Sequence, residues 1–336
     1  MNIGIAGLGK MGILHAGILN SLPNSKVGAI CEKERVLAIA ASKILPKVSF
    51  YQDVAEMIRK ESLDAIFITS PIHTHVPIIR TVLKSSSGIG LFTEKPLAAN
   101  GPEALEVAEA VTKRGIVNMV GFQKRFSPVL RHAKHLLDNE AIGDVQFFRC
   151  YSYVSDIFRQ GNGWRFKKGN GGALLELGPH LLDVLLWYFG EPESASTLER
   201  SFYSSEVEDY VHAIVEFESG VAGNLDVSWS IRNYRLPEIF IEVQGTDGSL
   251  TVTDDYVKVQ ADKPVKGVIE AGRHTVQKPA FNTGVDFLLA DPEFAIEDKH
   301  FLKAVEDHVQ VQPDFHTAAK VNLFIDLIHQ RAAHGA

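Results

Sequence analysis

The sequence predicts an α/β protein of two domains, in which a doubly wound parallel sheet precedes a second domain of α+β type. Its 336 residues are long enough to bury two cores. In the first third of the chain, short apolar strand patterns alternate with helical patterns. Farther on, strand patterns follow one another directly. We expect the domains to span residues 1–122 and 123–336.

Composition and charge exclude several classes of protein. The chain is 45% hydrophobic and 22% charged, which is typical of a soluble globular protein. Its net charge of −7 is spread along the sequence without a basic run, so nucleic acid and anionic membranes are not expected partners. No signal peptide or membrane-spanning run is evident. Cys31 and Cys150 show no metal-binding or disulfide spacing, so we expect a cytoplasmic protein.

The first strand-to-helix turn has the spacing of a dinucleotide-binding loop. An apolar strand pattern at residues 3–6 is followed at once by Gly7, Leu8, Gly9, Lys10, Met11 and Gly12. This is the GxGxxG pattern of a Rossmann domain. Its glycines allow a tight turn, close approach of a pyrophosphate and close helix packing, with the helix N-terminus directed at the phosphates. The motif alone is weak evidence.

The second strand strengthens this interpretation. Its pattern covers residues 27–31 and ends at Glu32, where a carboxylate would accept hydrogen bonds from the ribose hydroxyls. Glu32 favours NAD because it would repel the 2′-phosphate of NADP. Lys33 and Arg35 lie nearby, so NADP is not excluded. The alternative interpretation of Glu32 is a solvated loop charge.

Further β-α units complete the predicted parallel sheet. We expect helices and strands in alternation at residues 35–44, 48–50, 53–59, 64–69, 76–83 and 90–93. Ligands of such sheets bind beyond the carboxyl ends of the strands. Ser70 and its neighbours follow one strand, and Glu94-Lys95-Pro96 follows another. Lys95 is therefore a candidate catalytic cation, and the proline admits a cis peptide bond.

The remaining patterns predict the second domain. A helix is expected at residues 128–138, and strands at 145–154, 211–217, 220–230, 239–244 and 249–253. Ser219-Gly220 and Asp247-Gly248 are turn signals between strands. Residues 261–294 are poorly patterned and are predicted to be rich in loops. Closing helices are expected at residues 301–306 and 317–332.

Three polar residues mark the most informative stretch, residues 171–183. Glu176, His180 and Asp183 are spaced so that a helix places them on one face, among leucines. Buried carboxylates and an imidazole are costly without a role. A satisfied polar network, a divalent metal site and a proton-transfer site all remain open from this pattern. Pro179 lacks an N–H group and should kink the helix.

Five blocks of sequence together resemble the Gfo/Idh/MocA oxidoreductases, a family that includes glucose–fructose oxidoreductase and inositol dehydrogenase. The blocks are the glycine turn, Thr69-Ser70-Pro71 with His75, Glu94 to Leu97, Gly121 to Phe126, and residues 171–183 with Trp164-Arg165-Phe166 upstream. The resemblance implies a Rossmann domain and a C-terminal α+β domain with a largely antiparallel open sheet. It places the active site between the domains.

The resemblance also implies roles for individual residues. Lys95 and His180 would be the acid/base groups, and which of them is the base remains open. Glu176 stands where the family usually has Asp, as a proton relay or to orient the histidine, so its role is in doubt. The implied cofactor contacts are the glycine turn, Glu32, Thr69, Ser70, Pro71, His75, Glu94, Lys95 and Gln123. Candidate substrate contacts are Arg125, Trp164 and Arg165 with Lys95 and His180, and no metal is implied. Arg125 has an equally plausible role as a salt-bridged interdomain charge.

The expected function is an NAD(P)-dependent oxidoreductase that transfers a hydride between nicotinamide and a secondary alcohol of a sugar, nucleotide-sugar or cyclitol. The alternative is a non-catalytic dinucleotide sensor or scaffold on the same fold, although such a protein would not need Lys95, Glu176 and His180 together. The resemblance further implies a homo-dimer or homo-tetramer that forms through the C-terminal sheet.

Overall fold

The structure, a computed structural model, describes residues 1–45, 47–85, 88–287 and 289–330. The strands are β1 (Asn2–Ala6), β2 (Lys26–Cys31), β3 (Ser49–Tyr51), β4 (Ala65–Ile68), β5 (Gly90–Thr93), β6 (Asn118–Val120), β7 (Val145–Tyr153), β8 (Pro192–Arg200), β9 (Tyr210–Phe217), β10 (Ala222–Ser228), β11 (Glu238–Gly245), β12 (Gly248–Thr253), β13 (Tyr256–Ala261) and β14 (Gly272–Gln277). The helices are α1 (Lys10–Ser21), α2 (Arg35–Ile44), α3 (Val54–Lys60), α4 (His75–Ser85), α5 (Gly101–Thr112), α6 (Pro128–Asp138), α7 (Ala173–Phe189), α8 (Pro292–Asp307) and α9 (Phe315–Gln330). No helix in the described ranges is long and apolar enough to cross a membrane.

The chain folds into two compact units. The first unit contains residues 1–123 and 284–322, and the second contains residues 124–283 and 323–330. The predicted second domain, by contrast, was the continuous stretch 123–336. Residues 284–322 belong to the first unit because α8 packs against α1, while the N–H of Phe315 donates to Oδ1 of Asn118 at 2.8 Å.

The first unit contains the predicted doubly wound parallel sheet. Among the described residues its six strands run in the order β3-β2-β1-β4-β5-β6, and every pairing is parallel. The order reverses between β1 and β4, the point at which sheets of this kind bind their ligands. The strand β4 reads Ala-Ile-Phe-Ile and is fully buried, as expected for a strand covered on both faces. Its Phe67 stacks on Phe92 of β5 at 4.5 Å between ring centroids.

The second unit contains a largely antiparallel sheet, so the predicted fold class is confirmed. Its eight strands, counted over the described residues, run in the order β14-β13-β12-β11-β7-β10-β9-β8. The pairing of β7 with β10 is parallel, and the others are antiparallel. The two predicted turns join β9 to β10 and β11 to β12 as hairpins.

The two faces of this second sheet have different surroundings. On one face, α7 packs against β7, β9 and β10, and α6 packs against β12 and β13. The opposite face carries Phe147, Tyr151 and Ile214, of which Phe147 is 51% and Ile214 57% exposed. The ring of Tyr151 stacks on that of Phe240 in the neighbouring strand at 5.0 Å. This half-exposed, partly aromatic face is the open face of the sheet.

Several elements differ from the sequence prediction. The strands β6, β8, β13 and β14 and the helix α5 were not predicted. The region 261–294 was predicted to be loop-rich, but it contains β14, and α8 begins within it. No position of β14 is fully buried, because its residues alternate between intermediate and exposed. Its sequence therefore lacks the apolar residue at every second position that would predict a strand. Residues 331 and 332 of the predicted last helix lie outside the described residues.

Candidate active site

The turn between β1 and α1 has the backbone that the glycine pattern predicts. Gly7 adopts a φ of +103°, and a Cβ placed on it would lie 2.6 Å from Cα of Ser70. A Cβ on Gly12 would lie 2.0 Å from the carbonyl oxygen of Gly7. Gly9 is different, because no atom lies within 4 Å of the place its Cβ would take. Two glycines are therefore required by the fold, and Gly9 leaves open space.

That open space lies at the N-terminus of α1. Gly9 is the N-cap residue, and Lys10 and Met11 form the beginning of the helix. The first N–H groups of a helix have no partner within the helix, and the helix dipole is positive at this end. A glycine without a side chain to cap them leaves these groups available to a pyrophosphate. The residues present therefore fit a dinucleotide.

The carboxylate of Glu32 is held beside this turn. It accepts hydrogen bonds from the N–H of Leu8 at 2.6 Å and from the N–H of Glu34 at 2.8 Å. Each carboxylate oxygen has a second lone pair and can accept a further hydrogen bond. Glu32 is thus oriented by the backbone rather than solvated on a loop, which supports its predicted role toward ribose hydroxyls.

The residues after β4 connect this turn to the next strand end. Oγ1 of Thr69 donates to the carbonyl oxygen of Gly7 at 2.7 Å, and Oγ of Ser70 lies 2.5 Å from Oγ1 of Thr74. The buried ring of His75 has Nε2 at 2.8 Å from the Ser70 carbonyl and Nδ1 at 2.9 Å from the Pro96 carbonyl. Burial lowers the pKa of His75, so the neutral ring donates to one of these two carbonyls. His75 thus links the ends of β4 and β5. Pro71, another predicted cofactor contact, is exposed.

The end of β5 carries the candidate catalytic lysine. Oε2 of Glu94 accepts the N–H of Lys95 at 3.2 Å, and its Oε1 lies 3.0 Å from Nε2 of His15. The Lys95–Pro96 peptide bond is cis. Glu94 is buried, whereas Lys95 is of intermediate exposure. Glu94 therefore supports the strand end from inside the unit and leaves Lys95 as its more accessible neighbour.

Gln123 also fits the predicted cofactor site. Its Oε1 atom is buried and has no hydrogen-bond partner among the described residues. A buried polar atom without a partner is costly, and an absent ligand is one explanation. The nicotinamide amide of a bound dinucleotide is a group that could donate to this oxygen.

In the second unit, α7 carries the three polar residues predicted to share a helix face. The helix is continuous through Pro179. Its first turn is capped by a residue that the sequence did not single out: Oε1 of Glu208 accepts the N–H of Leu174 at 2.9 Å, and its carbonyl accepts that of Ala173 at 3.0 Å. A Cβ on Gly172 would lie 2.4 Å from the Glu208 carboxylate, so only glycine fits there.

The two carboxylates of this helix face bind two different arginines. Nε of Arg165 lies 2.7 Å from both oxygens of Glu176, and Nε of Arg125 lies 2.8 Å from Oδ2 of Asp183. Burial raises the pKa of Asp183, and the adjacent Arg125 opposes this effect. His180 lies between the two pairs along the helix. Because both carboxylates are already neutralised by guanidinium groups, the arrangement favours a polar network over a divalent metal site.

Arg165 belongs to a larger network around the start of α7. It also donates from Nη2 to Oδ2 of Asp156 at 2.7 Å, and its guanidinium carbon lies 5.4 Å from the centre of the Trp229 ring. A Cβ on Gly171 would lie 1.7 Å from the Arg165 carbonyl oxygen. The longer side chain of Glu176, compared with the Asp usual in the resembling family, is therefore used in an ion pair with Arg165. Trp164 precedes it and is of intermediate exposure.

Arg125, a predicted substrate contact, and its neighbour Lys124 are also paired within the second unit. Arg125 stacks its guanidinium 5.5 Å from the centre of the Trp187 ring in addition to binding Asp183. Lys124 forms an ion pair with Asp254. The predicted cofactor residues thus all lie in the first unit, and the helix-face residues with Arg125 and Arg165 all lie in the second.

Two domain families match the chain. Residues 1–122 match the oxidoreductase family with an NAD-binding Rossmann fold, and residues 130–251 match the GFO/IDH/MocA C-terminal domain. The chain belongs to the Gfo/Idh/MocA oxidoreductase family. The predicted resemblance is confirmed, and with it an NAD-binding fold in the first unit.

Characterised relatives in this family share about a quarter of their residues with the chain. A scyllo-inositol 2-dehydrogenase (NAD(+)) of Bacillus subtilis is 27% identical over 255 residues, which cover 74% of this chain and 72% of the relative. A levoglucosan dehydrogenase of Pseudarthrobacter phenanthrenivorans is 26% identical over an alignment of 387 residues, gaps included, which covers 99% of this chain and 96% of the relative. A solved levoglucosan dehydrogenase in complex with NADH superimposes with a TM-score of 0.87 at 24% identity, covering 99% of this chain and 96% of that one, and so shares the fold.

Glycine substitutions in the family's loop should separate folding from cofactor binding. We expect Gly9→Ala to keep the melting temperature, because its Cβ meets open space, but to weaken NADH binding about tenfold or more by filling the cradle for the pyrophosphate. Gly12→Ala should lower the melting temperature, because its Cβ would clash with backbone. Fluorescence titration and thermal denaturation measure the two effects. Wild-type NADH affinity in Gly9→Ala would contradict the assignment.

The cap of α7 should make stability depend on pH. Burial raises the pKa of Glu208 to about 7 from its usual 4.5. A carboxyl with a raised folded pKa stabilises the protein fully below about pH 4.5 and loses this contribution as the pH rises through about 7. Relative to Glu208→Gln, the wild type should therefore lose about 3 kcal/mol of unfolding free energy over that range.

Urea denaturation at a series of pH values measures this difference. The matched control is Glu206→Gln, because Glu206 is exposed and pairs with Lys167. Its curve should follow the wild type in this pH range. Parallel curves for wild type and Glu208→Gln would show that the carboxyl does not titrate there.

Proposed function

We propose that this protein is an NAD-dependent dehydrogenase that acts on a secondary alcohol of a sugar, nucleotide-sugar or cyclitol. The observation that carries the proposal is the bare Gly9 at the N-terminus of α1, beside a Glu32 carboxylate oriented by two N–H groups. The relatives described as inositol, levoglucosan and apiose dehydrogenases support a polyhydroxylated substrate. The carboxylate of Glu32 supports NAD over NADP.

We assign proton transfer to His180 and binding of the substrate oxygen to Lys95. Oxidation of a secondary alcohol removes the hydroxyl proton as a hydride leaves the carbon, and NAD when bound accepts that hydride at its nicotinamide. A histidine has a pKa suited to taking the proton near neutral pH. The ammonium group of Lys95 stabilises the negative charge that develops on the oxygen. Reduction in the reverse direction uses the same groups with the opposite proton flow.

Glu176 has an electrostatic role in this scheme. It precedes His180 by one helical turn, which makes the two side chains neighbours on α7. Its carboxylate is fixed by Arg165 through two contacts of 2.7 Å, so its charge and position are both set before substrate arrives. We propose that this fixed carboxylate orients and stabilises the charged form of His180.

The paired basic residues support a neutral substrate. Arg125 is bound to Asp183, and Lys124 to Asp254. A substrate phosphate or carboxylate would have to compete with these intramolecular ion pairs. A polyol brings no charge, so it can form hydrogen bonds at Trp164, Arg165 and Lys95 without replacing the carboxylates that pair with Arg165.

Two further proposals concern the state of the protein in the cell. Its cysteines, Cys31 and Cys150, are both free and buried, which supports a cytoplasmic location. The open face of the second sheet exposes the apolar side chains of Phe147 on β7 and Ile214 on β9, and exposed apolar patches can mark interaction sites. We propose that it forms the interface of a homo-dimer or homo-tetramer.

Lys95→Ala and His180→Ala should each lower turnover by about 10²- to 10⁴-fold, because the first removes the charge that stabilises the substrate oxygen and the second removes the group that transfers the proton. Both variants should keep NADH binding, because the glycine turn is unchanged. A screen of polyols, sugars and nucleotide-sugars followed at the nicotinamide absorbance measures turnover. Lys113→Ala, at an exposed position, is the matched control. Unchanged activity in both variants would refute the assignment, and NADH binding without turnover across the screen would favour a sensor or scaffold.

Lys95→Arg distinguishes the two possible roles of the lysine. Arginine keeps the positive charge but cannot lose its proton in a protein. If Lys95 stabilises the oxygen, Lys95→Arg should retain more turnover than Lys95→Ala. If the two variants are equally inactive, the positive charge is not sufficient and Lys95 is the base.

Charged substitutions on the open face should dissociate the oligomer. Ile214 and Phe147 lie on that face and are more than half exposed. Ile214→Glu and Phe147→Glu would bring buried charge into the interface, so we expect smaller particles by size-exclusion chromatography with light scattering. Val309→Glu, at an exposed position in the first unit, is the control. A wild-type monomer would contradict the proposal directly.

A further inference from the structure

A buried cluster in the first unit has no part in the proposed reaction. It consists of His15 on α1 and Glu297 and Asp298 on α8, all of which are 0% exposed. One ring nitrogen of His15 and one carboxylate oxygen from each acid lie within 4.8 Å of one another. Three groups that commonly bind metals therefore converge in the protein interior.

Glu297 is the member of this His15 cluster that protein contacts leave unexplained. Neither of its carboxylate oxygens has a hydrogen-bond partner among the described residues. Asp298, its neighbour in sequence, binds His15 through both oxygens. Buried carboxylates are ordinarily paired, hydrogen-bonded or bound to a metal. Glu297 thus lies in the cluster without a hydrogen-bond partner in the part of the chain that the structure describes.

The histidine has the environment of a metal ligand. Its Nδ1 lies 2.9 and 3.0 Å from the two oxygens of Asp298, and its Nε2 lies 3.0 Å from Oε1 of Glu94. Histidines that bind metals almost always donate their other N–H to a carboxylate or carbonyl, a role that Glu94 fills. Two ligands with bonds of about 2.1 Å in a tetrahedral site lie about 3.4 Å apart, so Nδ1 and the Asp298 oxygens would move apart by a few tenths of an ångström to hold one ion.

The charge of the cluster also favours a cation. Four carboxylates, those of Glu94, Glu293, Glu297 and Asp298, are buried in this unit with His15. Asp298 and Glu94 both contact His15, so two of these carboxylates face the single imidazole. A proton on His15 is the competing counter-charge. That proton gives Glu297 no hydrogen-bond partner among the described residues, whereas a divalent ion would bind Glu297 and neutralise more of the negative charge.

We propose that His15, Glu297 and Asp298 bind one divalent transition-metal cation of the zinc type. A set of one imidazole and two carboxylates suits such ions. Because the three side chains are fully buried, no substrate reaches the ion, and its role is structural. It would join α1, whose N-terminus binds the dinucleotide, to α8, and through Glu94 it would support the strand end that carries Lys95. The sequence did not imply this metal.

Metal content tests the proposal without any assay of activity. Full-length protein, purified without a histidine tag and dialysed against metal-free buffer, should contain about one equivalent of a transition metal by inductively coupled plasma mass spectrometry. Glu297→Gln should lose most of it, because it removes the unpaired anionic ligand. Glu306→Gln makes the same change at an exposed position on the same helix and should keep the metal.

Thermal denaturation with zinc supplies the second measurement. After removal of metal by a chelator, Zn²⁺ alone should raise the melting temperature of the wild type and of Glu306→Gln, because an ion that binds the folded state stabilises it. Glu297→Gln should not respond. If that variant fails to fold, an anomalous diffraction signal from wild-type crystals at the His15 cluster decides the question.

Three results would overturn the proposal. They are wild-type protein with neither bound metal nor a zinc-dependent rise in melting temperature, equal metal binding in Glu297→Gln, and an anomalous signal elsewhere than the His15 cluster. None of them depends on turnover. Failure of the metal site is therefore distinguishable from failure of the proposed dehydrogenase function.

Discussion

A carboxylate removed from water must be given a partner, and in this protein those partners position candidate functional residues within each of the two units. Glu32 is held by two backbone N–H groups beside the glycine turn, and Glu208 caps the helix that carries His180. Glu176 and Asp183 on that helix each bind a different arginine. The pairs fix the elements on either side of them, because breaking one would leave a buried charge uncompensated. Among the described residues, both carboxylate oxygens of Glu297 lack a hydrogen-bond partner, and a cation is proposed there.

Backbone approach is the second constraint, and it acts through glycine. At Gly7, Gly12 and Gly172 a Cβ would meet backbone or a capping carboxylate at less than 3 Å, so these positions are set by the fold. At Gly9 nothing opposes a side chain, yet the chain has none. The glycines of the turn after β1 therefore differ in what the fold requires of them. Gly7, Gly12 and Gly172 are required by the fold, whereas the fold does not require a glycine at position 9.

The sequence predicted the first unit better than the second. Buried parallel strands such as β4 are short apolar runs, and they alternate with amphipathic helices, so both signals are local. The strands β8 and β14 are polar on the exposed side and carry little alternation, so they are recognisable only once their neighbours are in place. Similarly, α8 returns to the first unit through contacts with α1, and no local pattern encodes that return.

The sequence by itself determined the fold class, the family and the residue types that the chemistry needs, because the glycine spacing, the Glu94-Lys95-Pro96 block and the helix through His180 are all local patterns. Only the tertiary structure decided which partner each charged residue takes. Arg165 pairs with Glu176 across 11 positions of sequence, whereas His15 meets Asp298 across 283. Pairings at such separations depend on how helices and strands pack, and a periodic pattern carries no information about them. For that reason the ion pair of Glu176, the cap provided by Glu208 and the cluster around His15 became visible only in the folded chain.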